Sequence, residues 1–358
     1  MLLAAKTLGT ILATTLLLCC AIAAWPRPQS GQPSTTLLNS SRAIALNSKT
    51  GKVYAVDTRQ GAIAIFDPQE KSISSLPVGA GPVAVAVNES TNRIYVANNG
   101  AASVTVIDGA TDTPLATIPV GPLPYVLAVN PATNKIYVSN TFSDLITTID
   151  GASNSTTTLK AGSADAITVD SKLDKIYLLG YESTHLTVLD KVPSIVTKIP
   201  VGMHPWAIAV NESTSTLYLA RSGNSELAIV DENSGTVRKV PTGAIPCALA
   251  VNPATNTIYV VNHADDTVTA IDGTNRKVIA TIKVGERPQA IAVDSTRNRV
   301  YVANTHSNTI TVIDAISNSA VKTLPSKGNP YALAINSNTG QLFVTSESAS
   351  PLSALAPK

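Results

Sequence analysis

A chain of 358 residues carrying 26 basic and 24 acidic side chains has a formal net charge of +2, which gives no global electrostatic case for a nucleic-acid or anionic-membrane partner. Charged residues make up 14% of the sequence, below the roughly 25% usual for soluble domains. Helix-favouring runs of Glu, Lys, Leu and Gln are missing, and Thr, Ser, Asn, Val, Ile and Ala dominate instead, as in short strands joined by polar turns.

The first stretch, MLLAAKTLGTILATTLLLCCAIAAW, combines one cation, Lys6, with an apolar run and ends in the small-residue pattern Ala21-Ile22-Ala23. This is the pattern of a secretory signal peptide over residues 1–24, cleaved after Ala23 or Ala24. The alternative is a retained membrane anchor, because the interval from Lys6 to Pro26 approaches the roughly 20 residues that a span requires. A lipoprotein signal is disfavoured by Leu18, which stands before Cys19 where a small residue is expected. Removal of the leader takes Cys19 and Cys20 with it and leaves Cys247 alone, so the mature chain has no intramolecular disulfide and rests on its core. The reading is an exported protein of the periplasm, the cell surface or the medium, with no transmembrane span after cleavage. Residues 25–34, WPRPQSGQPS, form an irregular tether.

From residue 35 onward one phrase recurs. The inner element appears as RAIALN at 42, VAVAVN at 83, YVLAVN at 125, DAITVD at 165, WAIAVN at 206, CALAVN at 247, QAIAVD at 289 and YALAIN at 331, a spacing of 40 to 42 residues. After each comes a turn such as NPATN and a second strand containing Tyr54, Tyr95, Tyr137, Tyr177, Tyr218, Tyr259, Tyr301 or Phe343. A third strand ends at Asp67, Asp108, Asp150, Asp190, Asp231, Asp272 or Asp314, and a short fourth follows, as in LATIPVG. Four strands of period-two alternation in about 42 residues, closed by Asn/Asp/Gly turns, define a propeller blade. Pro77, Pro119, Pro200, Pro241 and Pro325 lie in the fourth strand, with Lys160 and Lys283 at the same place in two copies. Proline cannot donate to a ladder and lysine discourages foreign pairing, so the fourth strand is outermost and the small-residue element lines the axis.

The repeated YVAN, YVSN and YVVN at Tyr95, Tyr137, Tyr259 and Tyr301 resemble the YVTN-repeat β-propeller family of YncE-like and surface-layer-type propellers, over residues 35–358. The resemblance implies an exported or cell-surface propeller used mainly for binding, with no general catalytic residues to carry over. It also raises surface-layer association and periplasmic nucleic-acid binding. The expected fold is all-β, a single propeller of four-stranded antiparallel blades. Eight blades are favoured, the last closed by an N-terminal outer strand at STTLLNS, residues 34–40; seven blades with an irregular tail is the alternative.

Function is sought where the copies differ. The recurrent Asp starts a turn and the recurrent Tyr packs between sheets, so both series are structural. The first residue of the inner element, near the channel mouth on the loop-rich face, varies: Arg42, Val83, Tyr125, Asp165, Trp206, Cys247, Gln289 and Tyr331. The candidate ligand-binding set is Arg42, Tyr125, Asp165, Trp206, Gln289 and Tyr331. The aromatics would offer stacking faces to a sugar, base or peptide side chain while Arg42 and Asp165 orient it; the competing reading is that the rings merely plug a wide channel. His263 and His306, with Asp265 and Asp266 nearby, lack the tight spacing of metal ligands. His204 reads as a loop residue rather than a general base. The sequence also lacks a G-x-S-x-G element, a Cys/His pair at catalytic spacing and a phosphate-binding Gly loop.

The expected function is therefore non-enzymatic binding of a protein, glycan or small-molecule partner through the loop-rich face, with no cofactor and no metal. The alternatives are a structural or adhesive cell-envelope protein and a lactonase-like hydrolase, the last of which would need several carboxylates at the channel, where the mouth ring holds only Asp165.

Overall fold

The computed structural model describes residues 43–141, 143–190, 194–347 and 352–355. The leader, the tether, the strand expected at residues 34–40 and Arg42 lie outside the described residues. Residues from 37 onward form one compact unit.

That unit is a ring of eight antiparallel sheets. The first is built from Ile44–Leu46, Val53–Asp57, Ala62–Asp67 and Ser72–Pro77, hydrogen-bonded in chain order, and six further sheets repeat the scheme to Ser319–Pro325. The eighth has three strands among the described residues, Pro330–Asn336, Gln341–Ser346 and Leu352–Leu355. Each inner strand touches the next, and Pro330–Asn336 meets Ile44–Leu46, so the ring closes on eight blades rather than seven. Among the described residues no helix is long and apolar enough to cross a membrane.

The burial profile follows from the sequence pattern. Second and third strands such as Arg93–Asn98 and Ser103–Asp108 are buried almost throughout, while the proline-bearing Ser72–Pro77 and Ser319–Pro325 are largely exposed. The fourth strand is thus the outer edge. The core lies between neighbouring blades: Tyr95, Ala97, Val104 and Val106 of the second blade pack on Ile136, Val138 and Ile149 of the third. Every member of the aromatic series is buried, from Tyr54 to Phe343. At roughly 25 cal/mol per Å² of apolar surface removed from water, these seams supply the main stabilisation of a fold that has no disulfide among its described residues.

Two polar devices recur among the blades. The Asp that ends the third strand accepts the backbone N–H groups two and three residues on, as Asp108 does from Ala110 at 2.7 Å and Thr111 at 3.2 Å, and Asp314 from Ile316 and Ser317. These bonds, and first of all the Asn275 side chain in the case of Asp272, hold the Asp150, Asp231, Asp272 and Asp314 carboxyls below the usual carboxylate range. At the far end of the inner strand an Asn side chain bridges to the next blade, Asn47 Nδ2 to Asn92 Oδ1 at 2.7 Å and Asn88 Nδ2 to Asn134 Oδ1 at 2.8 Å.

Candidate functional site

The mouth positions share a backbone feature that the sequence did not announce. In six blades the ladder skips the residue after the leading proline. Pro82 pairs with Asn98 and Ala84 with Ala97, leaving Val83 unpaired, and the same shift isolates Tyr125, Trp206, Cys247, Gln289 and Tyr331. A β-bulge re-aims the side chain it carries, so the variable position of the repeat is also the one freed from the pleat. In the fourth blade Asp165 lies just before the strand, its N–H bonded to Leu179 O at 2.8 Å.

The structure gives each of these residues its own local partners. Gln289 Oε1 accepts from Thr305 Oγ1 at 2.9 Å within the same blade. Tyr331 packs against the cluster that includes Ala43, Ile44 and Tyr54 of the first blade, and burial pushes its phenol pKa up. Cys247 is buried with its Sγ 3.6 Å from Pro288 O, and burial pushes the thiol up to about 12, which removes it as a nucleophile.

A second series spans the seams between blades. The first loop residue after the second strand reaches the leading proline carbonyl of the following blade: Thr58 Oγ1 to Pro82 O at 2.6 Å, Asn99 Nδ2 to Pro124 O at 3.0 Å and Thr305 Oγ1 to Pro330 O at 2.7 Å. His263 belongs to this series. Its Nδ1 donates to Pro288 O at 3.0 Å, leaving Nε2 to accept from Arg287 Nη1 at 3.4 Å, and burial holds its pKa below the ordinary imidazole value. It is a neutral seam residue. Among the described residues no group of three or more His, Cys, Asp and Glu side chains is placed to hold a metal ion.

At the seam between the fourth and fifth blades the pattern changes. Tyr181 occupies the bridging position, its ring edge-on to Trp206 at 5.2 Å and tilted against His204 at 4.8 Å. Asp165 fixes this loop by accepting Tyr181 N–H on Oδ2 at 2.8 Å. His204 sits in the left-handed region at φ 51°, and His204 O accepts from Ser222 N–H and Oγ at 3.0 and 3.1 Å. The motif asparagine of the second strand is replaced on both sides of this seam, by Gly180 and Arg221. In the second, sixth and seventh blades that Asn is buried and donates to two hydroxyls, as Asn304 does to Thr309 and Thr311. Arg221 is 2% exposed and is held by Glu226 at 2.6 Å and Asn224 at 3.0 Å. Gly202, at φ +86°, makes room for it, since a Cβ there would run into the guanidinium.

Of the predicted residues, then, the structure brings Asp165 and Trp206 together through Tyr181 and His204. It shows Tyr125, Gln289 and Tyr331 on other blades, and Arg42 is outside the described residues. Tyr181 was missed. Its signal lies in one column of the repeat: Thr58, Asn99, Thr141, Ser222, His263 and Thr305 all have polar side chains where the fourth blade has a phenol. Chemically the cluster offers partly buried ring faces and edges beside a carboxylate, an arrangement on which a planar group can stack.

A family profile described as YNCE-like beta-propeller matches residues 72–356. No curated protein matches in sequence. Among solved structures, Kuenenia stuttgartiensis hydrazine synthase is similar with a TM-score of 0.62 at 14% identity, over 92% of this chain and 99% of that one. Dihydro-heme d1 dehydrogenase NirN in complex with DHE is similar with a TM-score of 0.69 at 14% identity, over 93% of this chain and 75% of that one. At such identity the likeness concerns the fold alone.

Proposed function

This chain belongs to the YncE-like β-propeller family, and from that premise we propose that it is an exported, non-enzymatic binding protein that takes a sugar, a base or a peptide side chain at the seam of its fourth and fifth blades. The observation that carries the reading is the Tyr181–Trp206–His204 cluster, set where four other seams have a single polar bridge. Maintaining several partly buried rings at a channel mouth exposes apolar surface that a merely structural seam does not need, as Thr58 and Thr305 demonstrate in theirs. Asp165 supports the reading as an oriented acceptor beside the rings.

Trp206 reports on its own site. In a Trp25→Phe background its fluorescence is the protein's only tryptophan signal, because the sequence holds two tryptophans. Titration with a panel of oligosaccharides, nucleosides and aromatic peptides is expected to give a saturable change for one class, lost in Tyr181→Ala. A saturable ligand whose affinity is unchanged by Trp206→Ala, measured by calorimetry, would place binding elsewhere.

A further inference from the structure

The same seam departs from the repeat at its opposite end. Four seams are joined by an amide, with Nδ2 of Asn47, Asn88, Asn130 and Asn211 donating to Asn92, Asn134, Asp174 and Asn256 at 2.6–3.0 Å. Between the fourth and fifth blades three residues of this joint differ together. The donor asparagine is Asp170, the acceptor is Ser215, and the position after the third-strand Asp is Glu232. In three other blades the equivalent of Glu232 is a glycine, Gly109, Gly151 or Gly273, where a Cβ would collide with Asn92, Asn134 or Asn256. Ser215 clears that space, and Glu232 turns inward beside Asp170 and Tyr177.

The result is a buried joint that lacks the amide donor of those four seams. Asp170 is 0% exposed and Glu232 8% exposed. Asp170 Oδ2, both carboxyl oxygens of Glu232 and the Tyr177 hydroxyl are buried and carry no hydrogen bond. Asp170 Oδ1 is already used by Lys172 and Leu173 N–H at 2.9 and 2.8 Å. The other acidic member of this position, Asp294, is matched by Arg297 Nη1 at 3.2 Å; Asp170 has no such arginine. Two facing carboxylates with no amide donor between them repel in a low-dielectric seam, and one proton shared between them removes the repulsion and restores the missing bond.

We propose that Glu232 and Asp170 are joined by one shared proton, which replaces the amide found at four other seams and makes the contact between the fourth and fifth blades sensitive to pH. The groups that face Glu232 agree with this. Burial, then the Asp170 charge, push its carboxyl up to about 8, with Lys175 and Tyr177 opposing. Tyr177 is itself pushed up by burial and by Glu232, Asp170 and Asp190. The sign follows: between the ordinary value of 4.5 and about 8 the folded chain holds a proton that the unfolded chain has released, so the bridge is intact at low pH and its stabilisation is lost as pH rises through that window.

The test is thermal unfolding of the whole mature chain between about pH 5 and about pH 9. Glu232→Gln supplies a permanent amide donor to Asp170 and is expected to remove a fall of several degrees in Tm that the native chain shows towards high pH. Asp170→Asn, which restores the donor of the other blades, is expected to flatten the profile in the same way. A protonated-carboxyl stretching band in the infrared at neutral pH, absent from Glu232→Gln, gives a readout that does not depend on either variant's stability. Parallel pH profiles for the native chain and both variants would overturn the proposal. So would stabilisation of the native chain, but not of Glu232→Gln, by millimolar calcium at neutral pH, since the joint would then hold a metal ion in place of the proton.

Discussion

Single residues explain why the motif has the letters it has. The asparagine of YVAN is a buried clamp, donating to Ser103 and Thr105 from Asn98 and to Thr267 and Thr269 from Asn262. Its partner in sequence is the glycine after the outer strand, because a Cβ on Gly79 or Gly243 would overlap Asn98 or Asn262. The tyrosine ties one blade to the next. Tyr259 packs in the sixth blade and its hydroxyl donates to Asn318 Oδ1 of the seventh at 2.8 Å. Tyr259→Phe is expected to lower stability by about 1 kcal/mol, the net worth of one such bond, as read from denaturant midpoints. The structural roles of Tyr and Asp were legible because a residue repeated in every blade faces the same surroundings in each. His263 was harder to read, because its role depends on a proline carbonyl in the following blade, 25 residues away.

Strand order was legible at the level of the element, since proline and lysine mark an outer edge wherever they recur. The bulge at Val83, Tyr125, Trp206, Cys247, Gln289 and Tyr331 was not, because alternation of apolar and polar residues continues through a stretch whose pairing has slipped by one. The closing element belongs to this scale as well. The eighth sheet has three strands among the described residues, and the sequence assigns residues 34–40 as its outer strand. Deleting residues 34–40 is expected to lower Tm by several degrees by exposing the edge of Leu352–Leu355; an unchanged transition would remove that assignment.

The molecule as a whole is a ring of eight similar blades, and one seam departs from the repeat at both of its ends. Gly180, Tyr181, His204, Trp206 and Arg221 alter its loop face, and Asp170, Ser215 and Glu232 alter its other end. Asp165 and Asp170 bracket a single inner strand, and at roughly 3.3 Å per residue the two departures lie about 17 Å apart. The repeat made the ring and its eight blades readable from sequence. It hid the seam, because each departure, taken alone, looks like ordinary drift, and only pairing Ser215 with Glu232 within the fifth blade shows the two to be compensating.

Returning the loop face of this seam to the pattern of its neighbours tests the central claim most directly. The double variant Tyr181→Thr, Trp206→Val installs the residue types found at Thr305 and Val83, and its binding to an array of glycans, nucleosides and peptides is compared with that of the native chain. The account predicts an unfolding transition close to the native one together with loss of the array signals that the native chain gives. Array signals that survive the double substitution undiminished would contradict it.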